Sequence, residues 1–285
     1  MLLEQAIEEF ITARRADGRS PRTIKDYHRV LDPFTAWCRK QGTVQLADLD
    51  VTTVRSYVVH LREKGWAENT VGIHVRNLRA FLRWLYEENY TETNLALAIR
   101  PSKARVRPGN LPTKEEVCRL IAVCNSDQWA SRDKAMILLL LDTGVRLGEM
   151  ASLRREDVHI EDDPAWLQVY VPKTNNVHFA FLCEETAVAL GEYLAQRGED
   201  GEEALWVGQR GALTGQGIYK AIRRRAARAG LNPRKFRPHN FRKLFATLWV
   251  DNGGDIVNLQ RLGGWNSLEM LETVSYTHLT LPTKA

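Results

Sequence analysis

Apolar residues recur at helical spacing through Leu2–Ala16, Thr23–Cys38, Val51–Leu61 and Thr70–Tyr86, which predicts a bundle of about four helices over the first hundred residues. Ser20 before Pro21 suits an N-cap followed by a first helical residue, and Asn69 is expected to cap the last helix. Phe81, Trp84 and Tyr86 follow the same spacing and are expected in the core. The pattern then lapses over residues 101–110, where prolines, a glycine and basic residues without apolar period read as a basic linker. Beyond it, Thr113 and Glu116 form a capping box that opens a helix through Val123, and Ser131–Leu141 reads as a buried helix. Trp166–Val171 and Val177–Leu182 alternate with period two, so they predict one antiparallel hairpin with Lys173 near its turn. Helical spacing resumes at Glu184–Gln196, Gly217–Ala229, Phe241–Val250, Ile256–Leu262 and from Ser267 onward. The fold class is therefore mainly α with a small antiparallel β-hairpin, in two domains: residues 1–100 as a helical bundle and 111–285 as a second unit.

Composition narrows the function classes. No apolar run approaches the ~18–20 residues that a membrane-spanning helix needs, and the first helix carries glutamates inside its apolar pattern, unlike a signal peptide. A cytoplasmic protein is expected. Cys38, Cys118, Cys124 and Cys183 are scattered without a C-x-x-C pair, which suggests buried free thiols and neither a zinc site nor a disulfide frame. The net charge of +5 is unevenly placed, with 18 Lys and Arg against 13 acids in residues 1–110 and 22 of each in residues 111–285. Tyr219–Lys243 holds ten basic residues and no acid, a local field suited to a phosphate backbone, although a run such as Arg223-Arg224-Arg225 is also what a solvated helix face looks like.

Five elements stand out in order: Thr143-Gly-Val-Arg146-Leu-Gly-Glu149 after a buried helix, Lys173 on the hairpin, His239-Asn-Phe-Arg242, Gly263-Gly264-Trp265, and a tyrosine near the C-terminus. Each has an ordinary structural reading. Arg146 can pair with Glu149 at a helix end, Lys173 sits where exposed turn lysines are common, His239 can cap a helix, and Trp265 can be core. His159 and His178 are left as structural. Taken together, the five resemble the tyrosine recombinase (phage integrase) family, whose pattern is T-G-x-R-x-x-E, a hairpin lysine, H-x-x-R, a G-H or G-W pair and a terminal tyrosine. The resemblance covers nearly the whole chain, because that family also has a helical, SAM-like DNA-gripping domain ahead of its integrase-type catalytic one.

The chemistry that the resemblance implies needs these residue types. Attack on a DNA phosphodiester builds negative charge on the non-bridging oxygens, and the planar forks of Arg146 and Arg242 suit that charge. Lys173 is the candidate general acid for the leaving 5′-oxygen, and His239 the group that takes or holds the tyrosine proton. Trp265 is expected to donate its indole N–H to a phosphate oxygen, and Glu149 to orient Arg146. No metal or other cofactor is expected. The implied partner is double-stranded DNA, gripped on one face by residues 1–100 and cleaved by residues 111–285, with a homotetramer on paired sites. Two other readings stay open: a type IB topoisomerase-like nicking-closing enzyme, and a DNA-binding accessory factor without chemistry.

The terminal tyrosine departs from the pattern. In the family it follows the tryptophan by nine residues, where this chain has Val274; Tyr276 lies eleven along, and two extra helical residues turn a side chain by about 200°. Tyr276 is the candidate nucleophile by position. The ending from about residue 272 also resembles a translated adapter found on truncated reading frames, which would put native sequence only up to about Leu271. The DNA target, and whether the outcome is integration, excision or dimer resolution, are not readable here.

Overall fold

The computed structural model describes residues 1–101, 111–125, 127–171 and 175–265. Lys173, Val274, Tyr276 and the helix expected from Ser267 lie outside them. The chain divides into two compact units, Met1–Arg107 and Pro108–Ala285.

Unit 1 is built from α1 (Leu3–Ala16), α2 (Pro21–Lys40), α3 (Val51–Glu63) and α4 (Glu68–Glu87). The Ser20 hydroxyl accepts the Thr23 amide with Pro21 in the first turn, as the sequence predicts, and Asp50 does the same for α3 through Thr53. Asn69 is not a cap: α4 already begins at Glu68 behind Ala67, which offers no side-chain acceptor, so Asn69 falls inside the first turn. The apolar faces meet around Phe10, whose ring stands edge-on to Tyr27, Phe81 and Trp84, while Phe34 packs edge-on to Tyr57. Phe81 and Trp84 are core as expected, whereas Tyr86 is 44% exposed, because it sits two positions past Trp84 on the opposite side of α4.

Unit 2 opens on α5 (Lys114–Ala122) with the expected capping box, the Thr113 hydroxyl accepting from the Glu116 amide and the Glu116 carboxylate from the Thr113 amide. α6 (Ala130–Thr143) is buried along most of its length and ends at Gly144, whose φ of 59° is left-handed. A Cβ there would lie 2.6 Å from the Phe245 ring, so both backbone and packing require glycine. A short helix absent from the sequence reading, α7 (Leu147–Ser152), follows at once.

The hairpin forms as predicted, with β2 at Trp166–Val171 and β3 at Asn176–Phe181, one residue earlier than expected, antiparallel with Trp166 opposite Phe181 and Val171 opposite Asn176. β1 (Val158–His159) adds a third strand, and β4 (Val207–Gly208) with β5 (Gly211–Ala212) makes a separate ribbon. Such two-residue strands are too short to show a period. Helices α8 (Glu184–Arg197), α9 (Gly215–Arg228), α10 (Pro238–Asp251) and α11 (Ile256–Gly263) complete the described fold. All four cysteines are free; Cys38 and Cys124 are buried, but Cys118 and Cys183 are exposed, which corrects the expectation of four buried thiols. No helix of the described residues is long and apolar enough to cross a membrane.

Two features of unit 2 position its polar side chains. The main core runs from Leu120 to Phe241 and centres on α6. A smaller cluster, Phe245, Ala246, Leu259 and Trp265, joins α10 to the end of α11. Beneath the main core's edge lies a buried ion network, with the Arg225 Nε 2.7 Å from one Asp133 oxygen and the Arg132 Nη2 2.6 Å from the other. Asp127 takes both Arg225 terminal nitrogens at 2.8 and 2.6 Å and also pairs with Arg228.

Candidate active site

Arg146, His239 and Arg242 converge on one cleft of unit 2, about 460 Å³ in volume, whose walls also include Val145, Leu147, Tyr219, Arg237 and Pro238. The convergence has a local cause. Arg146 lies directly after the Gly144 turn that ends α6, at the N-cap position of α7, while His239 and Arg242 lie three apart in the first turns of α10, which packs on α6. The Arg242 Nη1 donates to the Gly144 carbonyl at 2.7 Å, so the first motif's turn directly holds the second motif's arginine.

Glu149, buried, orients Arg146 as the sequence reading proposed: one carboxylate oxygen accepts from the Arg146 Nη1 at 2.7 Å and the other from its backbone amide at 2.8 Å. The Arg146 Nη2 donates to the Gly264 carbonyl at 2.7 Å, and the Arg242 Nη2 to the carbonyl of Gly263. Two guanidinium groups from distant segments are thus brought to neighbouring peptide units. Trp265 lies against the same pair, its ring centroid 3.8 Å from the Arg242 guanidinium carbon and its plane parallel to Phe245. A desolvated cation–π contact of this kind contributes roughly 2 kcal/mol. The close approach demands Gly263, where a Cβ would come within 1.5 Å of the indole.

The electrostatics leave net positive charge in the cleft. Arg242 is 7% exposed; burial, and then the charge of Arg146, push its pKa down to about 10, opposed by Glu149, so it stays protonated at neutral pH. His239 lines the cleft as an exposed residue. Partial desolvation, followed by the charges of Lys243 and Arg242, lowers its pKa, which favours a neutral imidazole able to accept a proton. His178, left as structural in the sequence reading, is a half-buried β3 residue within electrostatic reach of Glu149, Arg146 and Arg242, and both its ring nitrogens are buried without a hydrogen-bond partner among the described residues. His159 stacks on Trp166 at 3.7 Å and remains structural. Among the described residues no group of three or more His, Cys, Asp or Glu is arranged to hold a metal ion.

Sequence reasoning missed Tyr219 and Arg237 as cleft residues. Both lie in the acid-free basic stretch Tyr219–Lys243 that the charge pattern singled out, but no motif spacing marks them. The Arg223-Arg224-Arg225 run splits three ways in the structure: Arg225 is fully buried in the ion network, Arg224 reaches Asp133 at 3.7 Å from the surface, and Arg223 lies over the Tyr219 ring at 5.5 Å.

Unit 2 is thus mainly helical with a small antiparallel sheet, and it gathers two arginines and a histidine in one cationic cleft. The description "Phage integrase family" matches residues 111–281, and "Phage integrase, N-terminal SAM-like domain" matches residues 6–92. The chain belongs to the phage integrase family, the tyrosine recombinases. Among its relatives is the tyrosine recombinase XerD of Oceanobacillus iheyensis, 29% identical over 98% of this chain and 95% of its own length. The tyrosine recombinase XerC of Salmonella typhi is 28% identical over 91% of this chain and 86% of its own. The fold is similar to that of a lambda integrase dimer bound to a COC' core site, with a TM-score of 0.76 and 19% identity over 100% of this chain and 99% of that one.

Proposed function

We propose that this protein is a site-specific recombinase that cleaves and rejoins duplex DNA through a 3′-phosphotyrosyl intermediate, acting in the cytoplasm of a bacterium on DNA of the host or of a mobile element. The observation that carries the reading is the convergence of Arg146, His239 and Arg242 on one cleft. A phosphodiester seated there gives its non-bridging oxygens to the two guanidinium groups in place of the Gly263 and Gly264 carbonyls. A tyrosine phenol, losing its proton to neutral His239, bonds to phosphorus as the bond to the 5′-oxygen breaks, and that oxygen takes a proton from Lys173. Strand transfer is the reverse, with a 5′-hydroxyl attacking and the phenol leaving. Trp265, stacked on Arg242, holds that arginine and offers its indole N–H to a phosphate oxygen.

Tyr276 is the candidate nucleophile in this chain and position 274 the place where the family spacing puts one. The relatives' assemblies on DNA, among them a lambda integrase tetramer bound to a Holliday junction, support a homotetramer on paired duplex sites as the working form. Within it, residues 1–100 supply phosphate contacts, residues 101–110 link, and residues 111–285 carry the chemistry; binding is expected to weaken steeply with salt. Covalent trapping on a nicked suicide duplex tests the reading, with the parent chain beside Tyr276→Phe and Val274→Tyr. An adduct lost in Tyr276→Phe assigns the nucleophile to 276. An adduct only in Val274→Tyr assigns the chemistry to this site and a displaced nucleophile to the parent. No adduct in any of the three overturns the reading.

A further inference from the structure

The cleft holds a tyrosine that the strand-cleavage chemistry leaves unused. Tyr219 projects from the second turn of α9 into the space lined by Arg146, His239 and Arg242, with its ring half-buried. Two other tyrosines of unit 2 already spend their hydroxyls on partners in the chain: that of Tyr193, buried, donates to the Leu205 carbonyl at 2.9 Å, and that of Tyr170, exposed, to the Asn175 side chain at 2.5 Å. The Tyr219 hydroxyl has no hydrogen-bond partner among the described residues, and it is not among the buried polar atoms left unsatisfied, so water reaches it. A phenol placed in a cationic cleft with its donor unspent is a built-in contact for an anionic oxygen.

The surroundings define the ligand. Arg223, one turn further along α9, lies over the Tyr219 ring, and Arg237 lines the same cleft from the N-cap of α10 with no ion pair among the described residues. Neither belongs to the Arg146–Glu149 and Arg242–Trp265 arrangement that would hold the reacting phosphate. The volume of about 460 Å³ exceeds what one phosphate group fills, so there is room for the backbone on one side of it. Resting on the proposed reading of the cleft as a DNA site, we infer that Tyr219 is a positioning contact for the DNA backbone: its hydroxyl donates to a phosphate of the cleaved strand beside the reacting one, with Arg223 steadying the ring. A fixed second phosphate sets the register of the strand, and therefore which phosphorus lies between Arg146 and Arg242.

The test uses the full chain and a duplex recovered from a random-sequence pool by binding to it. Single phosphates along each strand are replaced in turn by neutral methylphosphonates, and affinity is measured for the parent and for Tyr219→Phe, which removes one oxygen and leaves the ring and its packing. The parent is expected to lose about tenfold in affinity at one phosphate position, the scale of a hydrogen bond to a charged acceptor. Tyr219→Phe is expected to bind the unmodified duplex about as weakly as that and to lose nothing further at the same position, the non-additivity of two changes to one contact. Equal affinity of parent and variant, losses that simply multiply at every position, or no binding of the chain to any duplex would overturn the inference. The same duplexes, nicked and assayed for a covalent adduct, keep the two questions apart: the methylphosphonate signature without an adduct in the parent or in either nucleophile variant leaves Tyr219 as a backbone contact and removes the cleavage reading.

Discussion

Arg225 on α9 and Arg242 on α10 are both buried arginines of unit 2, and they are held in opposite ways. Arg225 is fully enclosed, with carboxylates of Asp133 and Asp127 on three of its nitrogens. Among the described residues Arg242 meets no carboxylate directly; its partners there are the carbonyls of Gly144 and Gly263 and the face of Trp265. Carbonyl dipoles and a π face orient a guanidinium without cancelling its charge, whereas carboxylates cancel it. The first arrangement is a structural tie between α6, α9 and the loop at Asp127. The second leaves a positive field for an anion, and a partly repelled one, since Arg146 stands close enough to depress the Arg242 pKa. Buried charge is thus a poor marker of function until its counter-charges are counted.

Substitutions at the two sites should separate these roles, and the largest effect is expected at the tie. Asp133→Asn strands Arg132 and part of Arg225, and breaking a buried pair from one side costs roughly 3–5 kcal/mol. Thermal denaturation should therefore show a clear drop in the midpoint of unit 2, and an unchanged midpoint would mean that the network contributes little. Arg242→Gln should lower the denaturation midpoint less than Asp133→Asn, because the lost cation–π contact and hydrogen bonds are offset by relief of the burial and repulsion on that guanidinium, while reducing the rate of adduct formation by about 10²–10³-fold, the scale of one lost donor to a developing oxyanion. A loss of stability matching that at Asp133 would mean that Arg242 too is mainly structural.

Gly263→Ala tests how tightly the second arrangement is built. The added methyl would meet the Trp265 ring, and overpacking of this kind costs roughly 1–3 kcal/mol. The expected outcome is slower cleavage together with a modest loss of stability, read by adduct kinetics and denaturation on one preparation. The smallest effect is in pH dependence. The His239 pKa lies below its ordinary value of 6.5, so the neutral form persists at neutrality and adduct formation should fall only as pH drops through the lowered value. Lys243→Gln removes one of the depressing charges and should move that acid limb upward in a pH–rate profile. Asp127 gives the corresponding signature at the tie: chiefly its hydrogen bonds from Arg225 hold its carboxylate well below the ordinary 3.8, so its contribution to stability is complete above 3.8 and is lost as pH falls toward the lowered folded value.

Motif spacing made Arg146, His239, Arg242 and Trp265 legible in the sequence, because each sits at a short fixed offset from a glycine, a proline or a helix turn. Tyr219 and Arg237 were not legible, since it takes the packing of α7 against α9 to bring Tyr219, and of α10 against α6 to bring Arg237, to the same cleft. Asn69 and Tyr86 were misread for a local reason: a helix that starts two residues earlier, or a side chain two positions out of phase, changes the environment without changing the pattern.

Local chemistry decided what could be read along one dimension. Apolar period fixed the four helices of unit 1, β-alternation the hairpin, Ser20 and the Thr113–Glu116 box two helix starts, and the order of five motifs the family. The tertiary structure alone decided which positive charges are spent and which are free. That depends on counter-charges 92 and 98 residues away in the chain for Arg225 and on carbonyls 98 and 21 residues away for Arg242, and no local pattern carries distances of that kind.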